Sequence, residues 1–523
     1  MARKDPATQN KEVPPPADPD ASADSGLAIT ELIDANDPAA LPSFFDGLQG
    51  NILKGHGRDH IRLLFLRLTA PAPEARAAIR NFVNLGHVQS AREQRQHEVR
   101  FKKFGVPGPL FANVMLSASG YRKLGFDLTQ FDEQPTLQTF GSEVVTFAKG
   151  AKNSDAIATL SDPPVDTWEK PFRDDIDALI LLADDQIATL VTVLNDTIAA
   201  FQDVATVVYI QSGDALRNAN SDAIEHFGYI DGRSQPVFFK QDLEKEIAQF
   251  DGEDPALPGA NLFVKFDPSA AKELVLVKDP FGPAGAQALG SYFVFRKLEQ
   301  DVRGFKQQEQ SLADALGLVG EQRELAGAYV VGRFEDGTPV VMRDEDGLSK
   351  PIPNNFDYAS DPEGTRCPFH SHLRKMNPRG DTVRAFATTP QQAVDTLAAE
   401  RGRRIARRGI TYGDRTADPS DPAAIPLLPT RDVGLLFMCF QANIPQQFAF
   451  LQQSWANNEA FVKAGVGVDP VIGQLRDIDQ PVAQRCPLTW GQRGDIRYDF
   501  SGFVTMKGGE FFFAPSIPFL VTP

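Results

Sequence analysis

Two stretches of this chain repeat one pattern. ALILLADD (Ala178–Asp185) runs directly into QIATLVTVLNDTIAAF (Gln186–Phe201), and VGLLFMCFQAN (Val433–Asn443) runs into IPQQFAFLQQSWAN (Ile444–Asn457). Each joins an unbroken apolar run of strand length to a segment whose apolar residues recur at helical spacing. A repeated strand–helix unit in a chain of 523 residues points to duplication and to more than one core-forming half. The flanking segments extend both copies. In the first half IRLLFLRL (Ile61–Leu68) and VATVVYIQSG (Val204–Gly213) read as strands, and PEARAAIRNFV (Pro73–Val83) as a helix with proline in its first turn. In the second, SYFVFRKL (Ser291–Leu298) reads as a strand and GFKQQEQSLADALG (Gly304–Gly317) as a helix ended by glycine. GEFFFAPSIPFL (Gly509–Leu520) reads as a closing strand. Such alternation fits a parallel sheet or an antiparallel split βαβ sheet, and the pattern does not choose between them.

Residues 1–44 are rich in Pro, Ala, Asp and Ser, too poor in apolar surface to offset ordering entropy, and are expected to form a tail. The expected halves are then 45–215 and 216–523, with folded structure starting near Leu48. Gln241–Ala260 and the stretch from Asn354 read as loop excursions. Lys plus Arg is 53 against 69 Asp plus Glu, a net charge of −16 that argues against nucleic acid as a partner. The sequence shows no apolar run long enough for a membrane span. The basic start lacks the apolar stretch of a secretory signal, and three scattered cysteines are not a disulfide framework; the expected location is cytoplasmic.

Phosphate-loop, nucleophile-elbow and H-E-x-x-H motifs are all missing. Three other segments could carry chemistry. In CPFHSHLRKMNPRGD (Cys367–Asp381), His370 and His372 would share one face of an extended segment, with Cys367 close by. They could bind zinc, one of them could ligate haem iron, or the segment could be a polar loop with hydrogen-bonded histidines. In EHFGYIDGRSQP (Glu225–Pro236), two glycines bracket Asp231, which could serve as an oriented carboxylate or merely close an Asx turn. RGRRIARRGITYGD (Arg401–Asp414) is strongly basic in an acidic chain, which suits an anionic ligand or internal ion pairs. Arg401, Arg403 and Arg404 read as a solvated end, and Arg407 and Arg408 as a pocket lip.

Together these segments resemble the dye-decolourising peroxidase family of haem b enzymes. The G-x-x-D-G turn is HFGYIDGRSQP, the NPR segment is CPFHSHLRKMNPR and the R-x-G motif is RRGITYG. The likeness extends from GLQGNILKGHGRDHIRLLFL near the start to GGEFFFAPSIPFL at the end, in the family's order. The resemblance implies an α+β fold of two ferredoxin-like domains with antiparallel sheets, the second holding most of the haem. It implies one haem b per chain, hydrogen peroxide as oxidant, and bulky organic donors such as dyes and phenolics, oxidised in one-electron steps. It assigns His372 as proximal iron ligand, Asp231 as distal acid–base group, and Arg407, with Arg408 the adjacent alternative, as distal arginine. His226 and Arg379 become candidates for the haem propionates, and Trp455 and Tyr412 for electron relays. Two departures stand out. His372 and Arg407 are 35 positions apart (407 − 372), longer than the family pattern, the surplus being TTPQQAVDTLAAERGR, read as a surface helix. Where many relatives carry Glu after Gln-Phe, this chain has Ala449, so another acceptor must serve the proximal histidine, and Asp469 is the candidate. A haem carrier or sensor, and a metal hydrolase built on Cys367, His370 and His372, are the competing classes.

Overall fold

In strand β1 (His60–Leu68), Ile61, Leu63 and Phe65 belong to one buried core while Leu64, Leu66 and Leu68 belong to another. Successive side chains of a strand point to opposite faces, so both faces of β1 are covered. The same division holds in β3 (Ala178–Asp184), where Leu179 and Leu181 face one core and Ile180 and Leu182 the other. Double coverage explains why these strands read as unbroken apolar runs. Such runs are usual in parallel sheets, but here every paired strand is antiparallel. The computed structural model describes residues 32–131, 144–249, 266–283, 287–348, 351–474 and 484–522.

Helix α1 (Ala72–Val83) follows β1, then β2 (Phe111–Ser117), β3, helix α2 (Ile187–Phe201) and β4 (Ala205–Asp214). The second half repeats the plan with β5 (Leu289–Gln300), α3 (Val302–Ala315), the short strands β6 (Ala406–Arg407) and β7 (Ile410–Tyr412), and β8 (Gly434–Gln441). A wide-wound helix of two segments, Pro445–Ala449 and Leu451–Ala456, leads on to β9 (Val504–Ala514). The strand order is β4-β1-β3-β2 in the first half and β9-β5-β8-β7 in the second. This is the split βαβ arrangement made twice, the antiparallel alternative. The halves share one ten-stranded sheet, joined where Phe512 and Phe513 of β9 pair with Ser117 and Leu116 of β2. At the far edges, Thr411 Oγ1 of β7 donates to the Asp214 carbonyl of β4 and accepts from Leu216 N at 3.1 Å. The sheet therefore curls until its edges meet. One core, with Phe45, Trp168 and Phe172, lies on one face, while α1 and α2 pack Ile79, Phe82 and Leu190 on the other.

Four expectations shift. Packed structure begins before Leu48: Ile33 bridges to Phe239, and Ala35, Leu41 and Phe44 are buried, so only residues 1–31 of the expected tail lie outside the described residues. The closing strand ends at Ala514, and Ser516 then caps a short helix, Ile517–Val521, by accepting from Phe519 N. The Gln241 excursion starts as a helix, Lys240–Gln249, with the rest of it up to residue 260 outside the described residues. The basic end at Arg403 and Arg404 is not solvated, as shown below. The surplus before Arg407 is indeed a helix, Pro390–Gly402, capped by Thr389 and buried only at Glu400. Among the described residues no helix is long and apolar enough to cross a membrane.

Candidate active site

A cavity of about 260 Å³ opens beside the second half of the sheet. Its wall takes apolar groups from β5, β8 and the wide-wound helix (Leu298, Leu435, Phe437, Phe448, Leu451), and polar groups from the Glu225–Pro236 turn and the NPR segment. Asp231, His372 and Arg407 all stand in this wall.

His372 opens a one-turn helix, His372–Met376. Its seat is fixed by Arg374, which is 1% exposed and donates to Asp381 at 2.7 and 3.0 Å, to Asp361 at 2.9 Å and to the Cys367 carbonyl at 2.6 Å. The His372 Nδ1 lies 2.9 Å from Oδ2 of Asp469, which is fully buried. The other oxygen of Asp469 accepts from Val471 N and Ile472 N at 2.8 and 3.0 Å. Burial alone would raise the Asp469 carboxyl, but His372 and these N–H groups hold it below the ordinary range. Burial likewise opposes a charged His372, yet Asp469 carries its pKa upward. With Nδ1 engaged, Nε2 is the nitrogen left for a ligand on the cavity side.

Opposite stands the G-x-x-D-G turn. The Glu225 carboxylate accepts from Phe227 N at 2.8 Å and Tyr229 N at 3.0 Å, which draws the turn around it. Gly228 and Gly232 take φ of +105° and +77°, which only glycine adopts without strain. Asp231 Oδ1 accepts from its neighbour Gly232 N at 2.6 Å and from Arg407 Nη1 at 2.9 Å. Arg407 also donates its backbone N–H to Gln235 Oε1 at 3.0 Å. Arg408 turns the other way and spends its guanidinium on the Asn51, Ile52 and Arg407 carbonyls. Between the two candidates it is Arg407 that faces the cavity, because β6 pairs it with Cys439 of β8 in a register the surface helix leaves intact.

Two of the expected ligand-binding residues lie outside the cavity wall. His226 is fully buried with Nε2 2.8 Å from the Tyr412 carbonyl, and burial pulls its pKa down to about 4; it is not in the cavity wall. Arg379 is also absent from the wall: it braces the Asn354 and Phe356 carbonyls at 2.7 Å each and lies between the Phe266 and Phe356 rings. Trp455 and Tyr412 are buried off the cavity, Trp455 stacked on Phe461 at 4.9 Å. The Cys/His cluster does not assemble. His370 Nε2 faces Cys486 Sγ at 3.8 Å, Cys367 Sγ faces Ser371 Oγ, and His372 turns to Asp469.

The sequence is 42% identical over 484 residues to the multifunctional dye peroxidase DyP2 of Amycolatopsis sp., covering 91% of this chain and 95% of that one. The solved structure of DyP2 superposes with a TM-score of 0.81, covering 94% of this chain and all of that one. A DyP-type peroxidase of Anabaena sp. superposes with a TM-score of 0.83 at 38% identity, covering 95% and 100%. A dye-decolorizing peroxidase in complex with 2,6-dimethoxyphenol is 26% identical with a TM-score of 0.68, covering 91% and 98%. No family model matches. This chain belongs to the dye-decolorizing peroxidase family. It has the α+β fold of these peroxidases, with antiparallel sheets, and is an oxidoreductase acting on peroxide. Members of the family bind haem.

The cavity of this peroxidase fits such a group on its own chemistry. It offers an imidazole nitrogen, apolar walls, and two arginines without a hydrogen-bonded carboxylate among the described residues. Arg333 donates to the Gly337 and Pro353 carbonyls at 2.7 Å each, and Arg404 to the Ser269 and Pro268 carbonyls at 2.8 and 3.3 Å. Burial pulls both down to about 9, the strain expected of cations that lack an anion. Both stand in the cavity wall, where they could meet carboxylates of a ligand. Sequence reading missed them. Arg333 has no motif around it, and Arg404 sits in a basic run that resembles a solvated end. Arg403 there is 8% exposed and stacks on Phe450, its guanidinium carbon 3.8 Å from the ring centre.

Proposed function

We propose that this chain holds one haem b and reduces hydrogen peroxide while oxidising dyes and phenolics in one-electron steps. In this reading His372 Nε2 ligates the iron, Asp231 moves the proton and Arg407 stabilises developing charge. One observation carries it: the Asp231–Arg407 pair and His372, bonded behind the wall to the buried Asp469, meet at a single cavity. The complex of a family member with 2,6-dimethoxyphenol supports phenols as donors.

Bound haem would supply a redox-active iron able to react with peroxide. The residues do the rest. Asp469 accepts the Nδ1 proton of His372, which fixes the ring and makes Nε2 a stronger donor. Arg333 and Arg404 would hold the propionates. Asp231 has Oδ1 bound to Arg407 and Gly232, leaving Oδ2 to take a proton from one peroxide oxygen and return it to the other. Arg407 keeps a fixed positive charge where the departing oxygen becomes negative.

The test is an absorption spectrum of chain expressed with haem supplied, taken before and after one equivalent of hydrogen peroxide. A Soret band that changes with peroxide and returns when a phenol is added supports the reading. A Soret band that ignores peroxide points instead to haem carriage. No Soret band in folded protein overturns the haem assignment.

A further inference from the structure

Three residues after His372, on the same helical turn, sits Lys375, a lysine 1% exposed to solvent. Its ammonium donates to three backbone carbonyls, Asn458 at 2.8 Å, Phe461 at 2.9 Å and Gly467 at 2.9 Å. An ammonium has three N–H donors, and this site matches each with an acceptor. All three acceptors lie on one loop, which runs from the end of the wide-wound helix to Asp469. That loop is tied at its far end by Asp469 N donating to the Ala456 carbonyl at 2.8 Å. One helical turn therefore grips one loop twice, through His372 on Asp469 and through Lys375 on the segment before it. Without the ammonium, the buried Phe461 and Gly467 carbonyls and the half-buried Asn458 carbonyl would lose this partner, and Val468, the one residue between Gly467 and Asp469, would lose the tie beside it.

We infer that Lys375 is a positioning residue: by clamping the loop at Asn458, Phe461 and Gly467 it holds Asp469 in hydrogen-bonding register with His372. This rests on the reading of His372 as the iron ligand. It adds that the strength of the His372–Asp469 bond, and so the electron donation of the imidazole, is set partly by a side chain whose hydrogen bonds go to the loop carbonyls.

The experiment compares Lys375→Met, which keeps the apolar stem and loses the donors, with Lys375→Arg, which keeps the donors. All measurements are at pH 6, below the value of about 7 to which burial pulls this ammonium. In the haem-free chain, the downfield Nδ1–H proton resonance of His372 reports its bond to Asp469. It should broaden or move upfield in Lys375→Met and be retained in Lys375→Arg. In the haem-loaded protein, Lys375→Met should lower the iron–histidine stretching frequency and raise the midpoint potential. A folded Lys375→Met with the resonance, the stretch and the potential all unchanged overturns the inference. Should that variant not fold, the wild-type chain still decides, since a clamped ammonium must give slowly exchanging N–H signals and a fast-exchanging one overturns the inference. The His372 resonance needs no haem, so a failure of the ligand assignment, read separately as haem retention in His372→Gly, is distinguishable from a failure of the clamp.

Discussion

Arg407 Nη1 donates to Asp231 Oδ1 at 2.9 Å, across 176 positions of sequence. Asp231 lies on a turn that follows the first half of the sheet, and Arg407 on a two-residue strand paired with β8 in the second. Their meeting gives each a division of labour. The arginine keeps one carboxylate oxygen occupied and orients the other.

That geometry sets different costs for the two side chains. Asp231→Ala removes the proposed proton carrier and should slow the reaction with peroxide by ~10²–10⁴-fold. Arg407→Leu leaves the carboxylate but removes the fixed charge, and should cost ~10²–10³-fold. Because the pair acts as a unit, the double variant should lose much less than the product of the two. Stopped-flow rates of the Soret change against peroxide concentration measure all three. Losses that multiply would mean that the residues act independently.

The proximal side should separate binding from tuning. His372→Gly removes the proposed ligand, so haem should be lost on desalting and restored by added imidazole. Asp469→Asn keeps a hydrogen-bonding partner of the same size but loses the charge, and should keep haem while weakening affinity or activity by ~10–100-fold. Haem titration monitored at the Soret band checks both. Full haem occupancy in His372→Gly without imidazole would remove His372 from the iron.

The fold, and the meeting of Asp231, His372 and Arg407 at one cavity, could be read from the chain because both are written locally. Apolar runs such as Leu63–Leu66 mark strands, and G-x-x-D-G, H-L-R and R-x-G put each functional group beside residues that fix its backbone. Sheet direction was not legible, since β1 and β3 are covered on both faces and an antiparallel strand buried twice looks like a parallel one. The choice between Arg407 and Arg408 was likewise open, because it depends on the pairing of Arg407 with Cys439 and not on the Arg-Arg dipeptide. Arg333 escaped notice for the same kind of reason. What marks it is a pair of neutral acceptors, the Gly337 carbonyl four positions on and the Pro353 carbonyl twenty positions on, and the contact of His226 with the Tyr412 carbonyl, 186 positions away, is written in no local motif.

Glu225 should give the protein a pH dependence of its own. Its carboxyl is pushed from 4.5 up to about 7, first by burial and further by Asp231, against three hydrogen bonds that favour the ion. Between pH 4.5 and 7 the folded chain then binds a proton that the unfolded chain has released, so stability from this group is full below 4.5 and drains away as pH rises through about 7. Glu225→Gln cannot titrate. Its melting temperature should fall less steeply than that of wild type between pH 5 and 8, whatever its absolute value. Thermal unfolding followed across that range checks the slope, and parallel curves would show that Glu225 does not titrate there.

The last expectation concerns the seat of His372. Arg374 is 1% exposed, and both of its carboxylate partners are almost as buried, Asp361 at 2% and Asp381 at 3%. Asp361 is also the acceptor for Thr365 N, Arg366 N and Cys367 N, so the loop that precedes the histidine hangs on the same carboxylate. Removing one partner of a buried network leaves the others charged and unsolvated, which is costlier than never having built it. Arg374→Met keeps most of the volume and deletes the charge together with the guanidinium that lies over Tyr358 and Phe369. It should destabilise the fold by about 3–5 kcal/mol, as breaking a buried pair does. Replacing Asp361 as well, by Asn, should recover part of that loss, since Asp381 keeps Arg384 while Asp361 has no second cation among the described residues. Denaturant unfolding of the single and double variants, with haem affinity measured alongside, tests this. If Arg374→Met proved as stable as wild type, the His372 helix would have to be held chiefly by its other contacts, among which the three carbonyl bonds of Lys375 would then be the leading ones.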